Sequence, residues 1–138
     1  MKNRVHWLAC LLTGLLAWSA QAAPRSGLQG QAQRGEALYG RCMGCHALQH
    51  DAVGPRHCGL LGRRAGSVAG FDYSTAMRRS GLTWTPATLD RFLQAPLRVV
   101  PGTSMTYAGV DAAQDRADLI AYLQAVNLTC HKGFGLGD

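Results

Sequence analysis

The stretch RCMGCHALQHDAVGPRHCG, Arg41 to Gly59, holds three cysteines and three histidines in 19 residues. Such a density fits a zinc site, a redox dithiol, a disulfide staple or a haem attachment segment. Its front half decides between them. Cys42, Met43, Gly44, Cys45 and His46 form a cysteine pair separated by two residues and followed at once by histidine, the spacing of c-type haem attachment. The reason is geometric. At the end of a helix this spacing sets both sulfurs over the edge of one porphyrin, against its two vinyl groups. It also turns the next side chain under the ring, where His46 can bind the iron. A zinc site needs a second ligand pair at comparable spacing, which His50, His57 and Cys58 do not form. A thioredoxin-like dithiol needs a βαβ setting, and no convincing strand is predicted anywhere in the chain.

Working outward toward the N-terminus, Lys2 and Arg4 precede an apolar run from Trp7 to Trp18, and Ala20-Gln21-Ala22 fits a small-x-small cleavage site. This reads as a secretory signal peptide over residues 1–22. An uncleaved anchor is the alternative, but the run is short for a membrane span. Residues 23–33 are small and polar and read as a floppy lead-in to one domain over residues 34–138. Export implies a periplasmic location and an oxidising compartment. Without Lys2 and Arg4 the basic residues fall from 14 to 12 against 8 acids, leaving a charge of +4. Nearly all of it is arginine. A positive exported domain seeks acidic protein faces rather than nucleic acid.

Toward the C-terminus the chain reads as short helices joined by Gly- and Pro-rich loops. The segment from Gly35 to the cysteine pair is predicted helical. A short helix is expected from Asp72, closed by Gly81. Thr85 caps a third, with Pro86 in its first position and Pro96 as its stop. The clearest helix runs from Asp111, where Asp111 and Gln114 suggest a capping box and Leu119, Tyr122, Leu123 and Val126 share a face. The fold class is therefore all-α.

One haem in so small a domain needs a second axial ligand or an open site. Met43 lies within the attachment loop and Met77 on a helical stretch. Met105 sits in Pro101-Gly102-Thr103-Ser104-Met105, a loop stiffened by proline, and is the better candidate. Cys58 and Cys130 are left over. In an exported domain they are expected to pair, tying the tail to the loop behind the haem; two free thiols are the alternative.

Beyond the attachment motif, the chain resembles the class I cytochromes c, the soluble mitochondrial and bacterial type. The resemblance rests on Gly54-Pro55, GLLGRRAG from Gly59, GFDYSTAM from Gly70, GLTW from Gly81, PGTSM from Pro101, YAG from Tyr107 and RADLIAYL from Arg116, in the family's order. It covers about Gly35 to Leu123. It implies that Cys42 and Cys45 carry the thioethers of one haem c, that His46 and Met105 are the axial ligands, and that Pro55 holds His46 through its carbonyl. Arg63, Tyr73 and Trp84 would hold the propionates, with Thr103 beside them. Gly35, Leu38, Leu119 and Tyr122 would form the crossing of the first and last helices.

Departures from the family pattern are equally specific. The loop from His46 to Pro55 is three residues shorter than the mitochondrial one. His57 stands where a haem-packing leucine is usual, Phe92 where a tyrosine is frequent, and Met77 where asparagine is common. The basic rim is thinned to Arg41 and Arg98, since Leu97, Ser104 and Asp111 are not basic. The resemblance implies a monomeric one-electron carrier with no small-molecule substrate. It would dock on redox partners with acidic patches and pass electrons from a respiratory or dehydrogenase donor to an acceptor such as a terminal oxidase. A dedicated haem subunit of a periplasmic dehydrogenase, or a small peroxidase or ligand sensor, are the competing readings.

Overall fold

The computed structural model describes residues 28–133. The expected signal peptide lies outside them. Among the described residues five helices follow in order: α1 (Ala32–Tyr39), α2 (Thr75–Arg79), α3 (Pro86–Gln94), α4 (Pro96–Val99) and α5 (Ala113–Gly133). Among the described residues no strand forms; Arg64 and Thr83 meet in one isolated antiparallel bridge. The all-α expectation therefore describes the architecture.

α1 and α5 cross, and glycine makes the crossing possible. Gly30 lies against the backbone carbonyl of Ala117, and Gly35 against that of Asp118. A β-carbon at either position would overlap those oxygens. Tyr39, at the end of α1, packs its ring on Tyr122 at 5.2 Å. Tyr39 thus takes the buried place at this crossing, while Leu38 is only partly buried. From α5, Leu119, Ile120, Leu123 and Val126 are buried. Each contributes roughly 1.5–3 kcal/mol relative to exposure.

Asp118 has no exposed surface, an unusual place for a carboxylate. Its Oδ1 accepts from the backbone N–H of Gln31 at 2.7 Å and from Gln114 Nε2 at 2.9 Å, while Arg34 Nε stands 3.3 Å from Oδ2. Gln114 also donates to the carbonyl of Gln29. These bonds correct two expectations. Residues from Gln29 to Gln33 are not a floppy lead-in: they are fixed on α5, and α1 begins at Ala32. Nor does Gln114 close a capping box with Asp111, because its side chain is committed to Asp118 and Gln29 and the helix starts at Ala113.

The central helices follow their local chemistry closely. Ser74 caps α2 by accepting from Met77 N–H. Thr85 and Thr88 form a reciprocal capping box on α3, with Pro86 in the first turn. Pro96 does more than end α3: it opens α4 in the same way, a short helix not expected from sequence. α5 likewise runs beyond Val126 to Gly133. Arg116, almost fully buried, fastens α5 to its surroundings through Asp90 Oδ1 and the carbonyls of Val110 and Asp111.

Candidate haem site

The helices leave an apolar cavity of about 350 Å³ between α1, α3, α5 and the loops. All nine residues expected to contact the haem line it: Cys42, Cys45, His46, Pro55, Arg63, Tyr73, Trp84, Thr103 and Met105. They come from segments up to 63 positions apart, and the fold brings them to one wall-lined space.

The attachment segment begins where α1 stops. Backbone bonds Cys42 N–H to Tyr39 O (2.8 Å) and His46 N–H to Cys42 O (2.9 Å) continue the turn of the helix. Cys42 and Cys45 are not bonded to one another, and both sulfur-bearing residues face the cavity, Cys45 with an exposed side. The chain then folds back on itself. Gly54 N–H donates to Cys45 O, His57 N–H to Ala47 O and Cys58 N–H to Leu48 O.

This fold-back presents Pro55 to His46. The His46 Nδ1–H donates to the Pro55 carbonyl at 2.8 Å, leaving Nε2 as the nitrogen with a lone pair. Burial lowers the His46 pKa, with the Pro55 bond opposing. Both effects of the site considered, burial favours the neutral ring, the form in which imidazole ligates iron.

Met105 stands in the loop after α4. Thr103 is buried, donates its N–H to Val100 O and accepts from Met105 N–H at 3.2 Å. A thioether and an imidazole thus line one cavity as soft and borderline donors. The zinc alternative fares differently: among the described residues no group of three or more His, Cys, Asp or Glu is placed to hold a metal ion.

Arg63 supplies the sharpest test of fit. Its Nη1 and Nη2 donate to the carbonyls of Cys58 (3.1 Å) and Arg56 (2.8 Å). Its Nε is buried without any partner. A buried orphan donor on a guanidinium is costly unless an anion meets it. A haem propionate is such an anion. Tyr73 and Trp84 line the same cavity, and burial raises the Tyr73 pKa, so its hydroxyl remains a donor at neutral pH. The residues present therefore fit a haem.

Among the further lining residues, Tyr39 and His57 stand beside His46. The spacing of three between Tyr39 and Cys42 is the sequence signal that Tyr39 shares the haem-facing side. Burial pushes its pKa up to about 12. His57 is partly buried, and burial, His46 and Arg63 together pull its pKa down to about 3. Met77 and Phe92 are buried on the cavity wall, as their substitution pattern suggests. Cys58 and Cys130 stand with Cα atoms 5.6 Å apart and their sulfurs in contact. That separation is within the range of a disulfide.

No protein-family model matches the chain. Individual relatives do. Cytochrome c2 of Rhodomicrobium vannielii is 46% identical over 111 residues, 78% of this chain and 86% of its own. Cytochrome c2 of Blastochloris viridis is 38% identical over 120 residues, 85% of this chain and 93% of its own. Among solved structures, cytochrome cH from Methylobacterium extorquens superposes with a TM-score of 0.68 at 38% identity, over 70% of this chain and 99% of that one. The chain belongs to the cytochrome c family, as a class I c-type cytochrome. It is an electron-transfer protein rather than an enzyme, and its cofactor is one covalently attached haem c.

Proposed function

We propose that this cytochrome is a periplasmic one-electron carrier, with Cys42 and Cys45 holding the haem by thioether bonds and His46 and Met105 as its axial ligands. The observation that carries the reading is the convergence of His46, tied through Nδ1 to Pro55, and Met105, braced by Thr103, on one cavity. The haem supplies a one-electron couple at its iron. The protein's part is to hold both ligands in place, exclude water and bury the ring. Arg63, Tyr73, Trp84 and Thr103 bind the propionates; Pro55 orients His46 and raises its basicity. With His46 and Met105 both committed to the iron, no place would be left for a substrate, which favours transfer over peroxidase or sensor chemistry. Cys58 and Cys130 form a disulfide outside the haem machinery.

Electrons would cross where the exposed side of Cys45 meets the cavity. Arg41 borders that opening and Arg98 stands exposed on α4. The partners are redox proteins with acidic patches: a respiratory or dehydrogenase donor and an acceptor such as a terminal oxidase. The carrier acts as a monomer. Stopped-flow reduction and oxidation against such partners tests this reading. Second-order rates that fall as salt rises are expected. Tight co-purification with one dehydrogenase, with no exchange to other partners, would replace the diffusing carrier by a bound haem subunit. Absence of the far-red sulfur-to-iron band in the ferric spectrum would remove Met105 as a ligand.

A further inference from the structure

The hydrogen bond that His46 donates to the Pro55 carbonyl pins the ring at one atom, Nδ1. A ring held at one atom can still rock about that bond, and the orientation of an axial imidazole sets how iron spin density spreads over the haem. Something must hold the face of the ring. His57 covers it: the two imidazoles are stacked, with centroids 4.2 Å apart and planes inclined by 24°.

His57 is itself held at both ends. Its backbone N–H donates to Ala47 O, beside His46, so the two histidines are fixed in register. Its Nδ1 shares a hydrogen bond of 2.9 Å with the hydroxyl of Tyr39. Tyr39 is buried at the end of α1 and packs edge-on to His57 at 5.6 Å. The anchor for the imidazole plate is therefore the helix that leads into Cys42.

We propose that His57 is a positioning residue, a plate anchored by Tyr39 that keeps the ring of His46 in one orientation under the haem. The inference rests on His46 being the axial ligand. It concerns the ring of His57 as a surface, not its protonation. A leucine would fill the same space without offering a flat face.

The test must separate the flat ring from the hydrogen bond and from simple volume. Removing His57 alone strands the buried Tyr39 hydroxyl, so double variants are used. Tyr39→Phe with His57→Leu removes bond and plate. Tyr39→Phe with His57→Phe removes the bond and keeps a plate. The readout is the set of haem methyl resonances of the ferric holoprotein by paramagnetic NMR, which reports axial ring orientation. Tyr39→Phe/His57→Leu is expected to lose the wild-type order of methyl shifts, and Tyr39→Phe/His57→Phe to keep it. If the leucine variant keeps the wild-type order, or the phenylalanine variant loses it equally, the inference is wrong. If the leucine variant does not fold, Tyr39→Phe alone decides: broadened or displaced methyl lines support the anchor, and unchanged lines overturn it. Wild-type protein lacking histidine–methionine ligated spectra would remove the ligand assignment itself, and this inference with it.

Discussion

The backbone of Gly54 lies directly against the imidazole of His46, with Cε1, Nδ1 and Nε2 all in the space a β-carbon would fill. No flexible chain end is available to yield there, because the neighbour is the ring that faces the cavity and Gly54 N–H is tied to Cys45 O. Gly54→Ala should therefore displace His46 from Pro55. We expect a loss of about 1–3 kcal/mol in denaturant unfolding of the holoprotein, with a perturbed ferric spectrum. A variant with wild-type stability and spectrum would contradict the close approach.

A second prediction concerns the potential. Phe92 and Met77 are buried on the cavity wall, 5% and 7% exposed, and give it an apolar lining. Such a lining disfavours the extra positive charge of ferric iron. Redox titration of the Phe92→Tyr/Met77→Asn double variant should give a lower midpoint potential than wild type. No fall, or a rise, would show that these two side chains do not set the potential.

A bridge between Cys58 and Cys130 would close a loop of 72 positions. In the chain-entropy account a loop of that length contributes about 4 kcal/mol. The Cys58→Ser/Cys130→Ser pair should lose on that order in denaturant unfolding while keeping the ferric absorption spectrum. Two alkylatable thiols in the wild-type holoprotein would mean that no bridge forms.

Strong acid should loosen the crossing of α1 and α5. The Gln31 backbone N–H, with help from Gln114 and Arg34, holds the Asp118 carboxyl below its ordinary pKa, against the opposing effect of burial. A carboxylate whose folded pKa is depressed stabilises the fold above its unfolded pKa, near 3.8. That contribution is lost as pH falls below this value toward the lower folded pKa. Asp118→Asn should flatten the stability–pH curve in this acid range relative to wild type. An unchanged slope would place the acid sensitivity elsewhere.

What the sequence disclosed follows the range of each interaction. Cys42, Cys45 and His46 are neighbours in the chain, so their spacing carries their geometry. Thr85 and Pro86 act on the turn that follows them, and their helix starts where local chemistry puts it. Asp118 is the opposite case. On a helix otherwise read by its apolar face, it looks like a solvated acid, and its partner Gln31 is 87 positions away. Nothing local announces that bond, which is also why Gln29 to Gln31 read as loose. Tyr39 and His57 failed to declare themselves for the same reason, since the fold-back from Cys45 to Cys58 creates their contact. α4 was hidden by a different cause: Pro96 is read first as a stop, although it can equally begin the next turn.

The glycine contacts at the crossing also impose an order of events. Gly30 and Gly35 rest on the carbonyls of Ala117 and Asp118, so the crossing cannot close before those late residues have been synthesised and delivered. Contacts this distant in sequence are the slow part of folding. Until they form, the wall that α5 contributes through Leu119 and Leu123 is missing, and the segment from Cys42 to His46 is open on that side. The topology itself thus leaves an interval in which the pocket beside Cys42 and Cys45 stands open on one side before the last helix completes its wall.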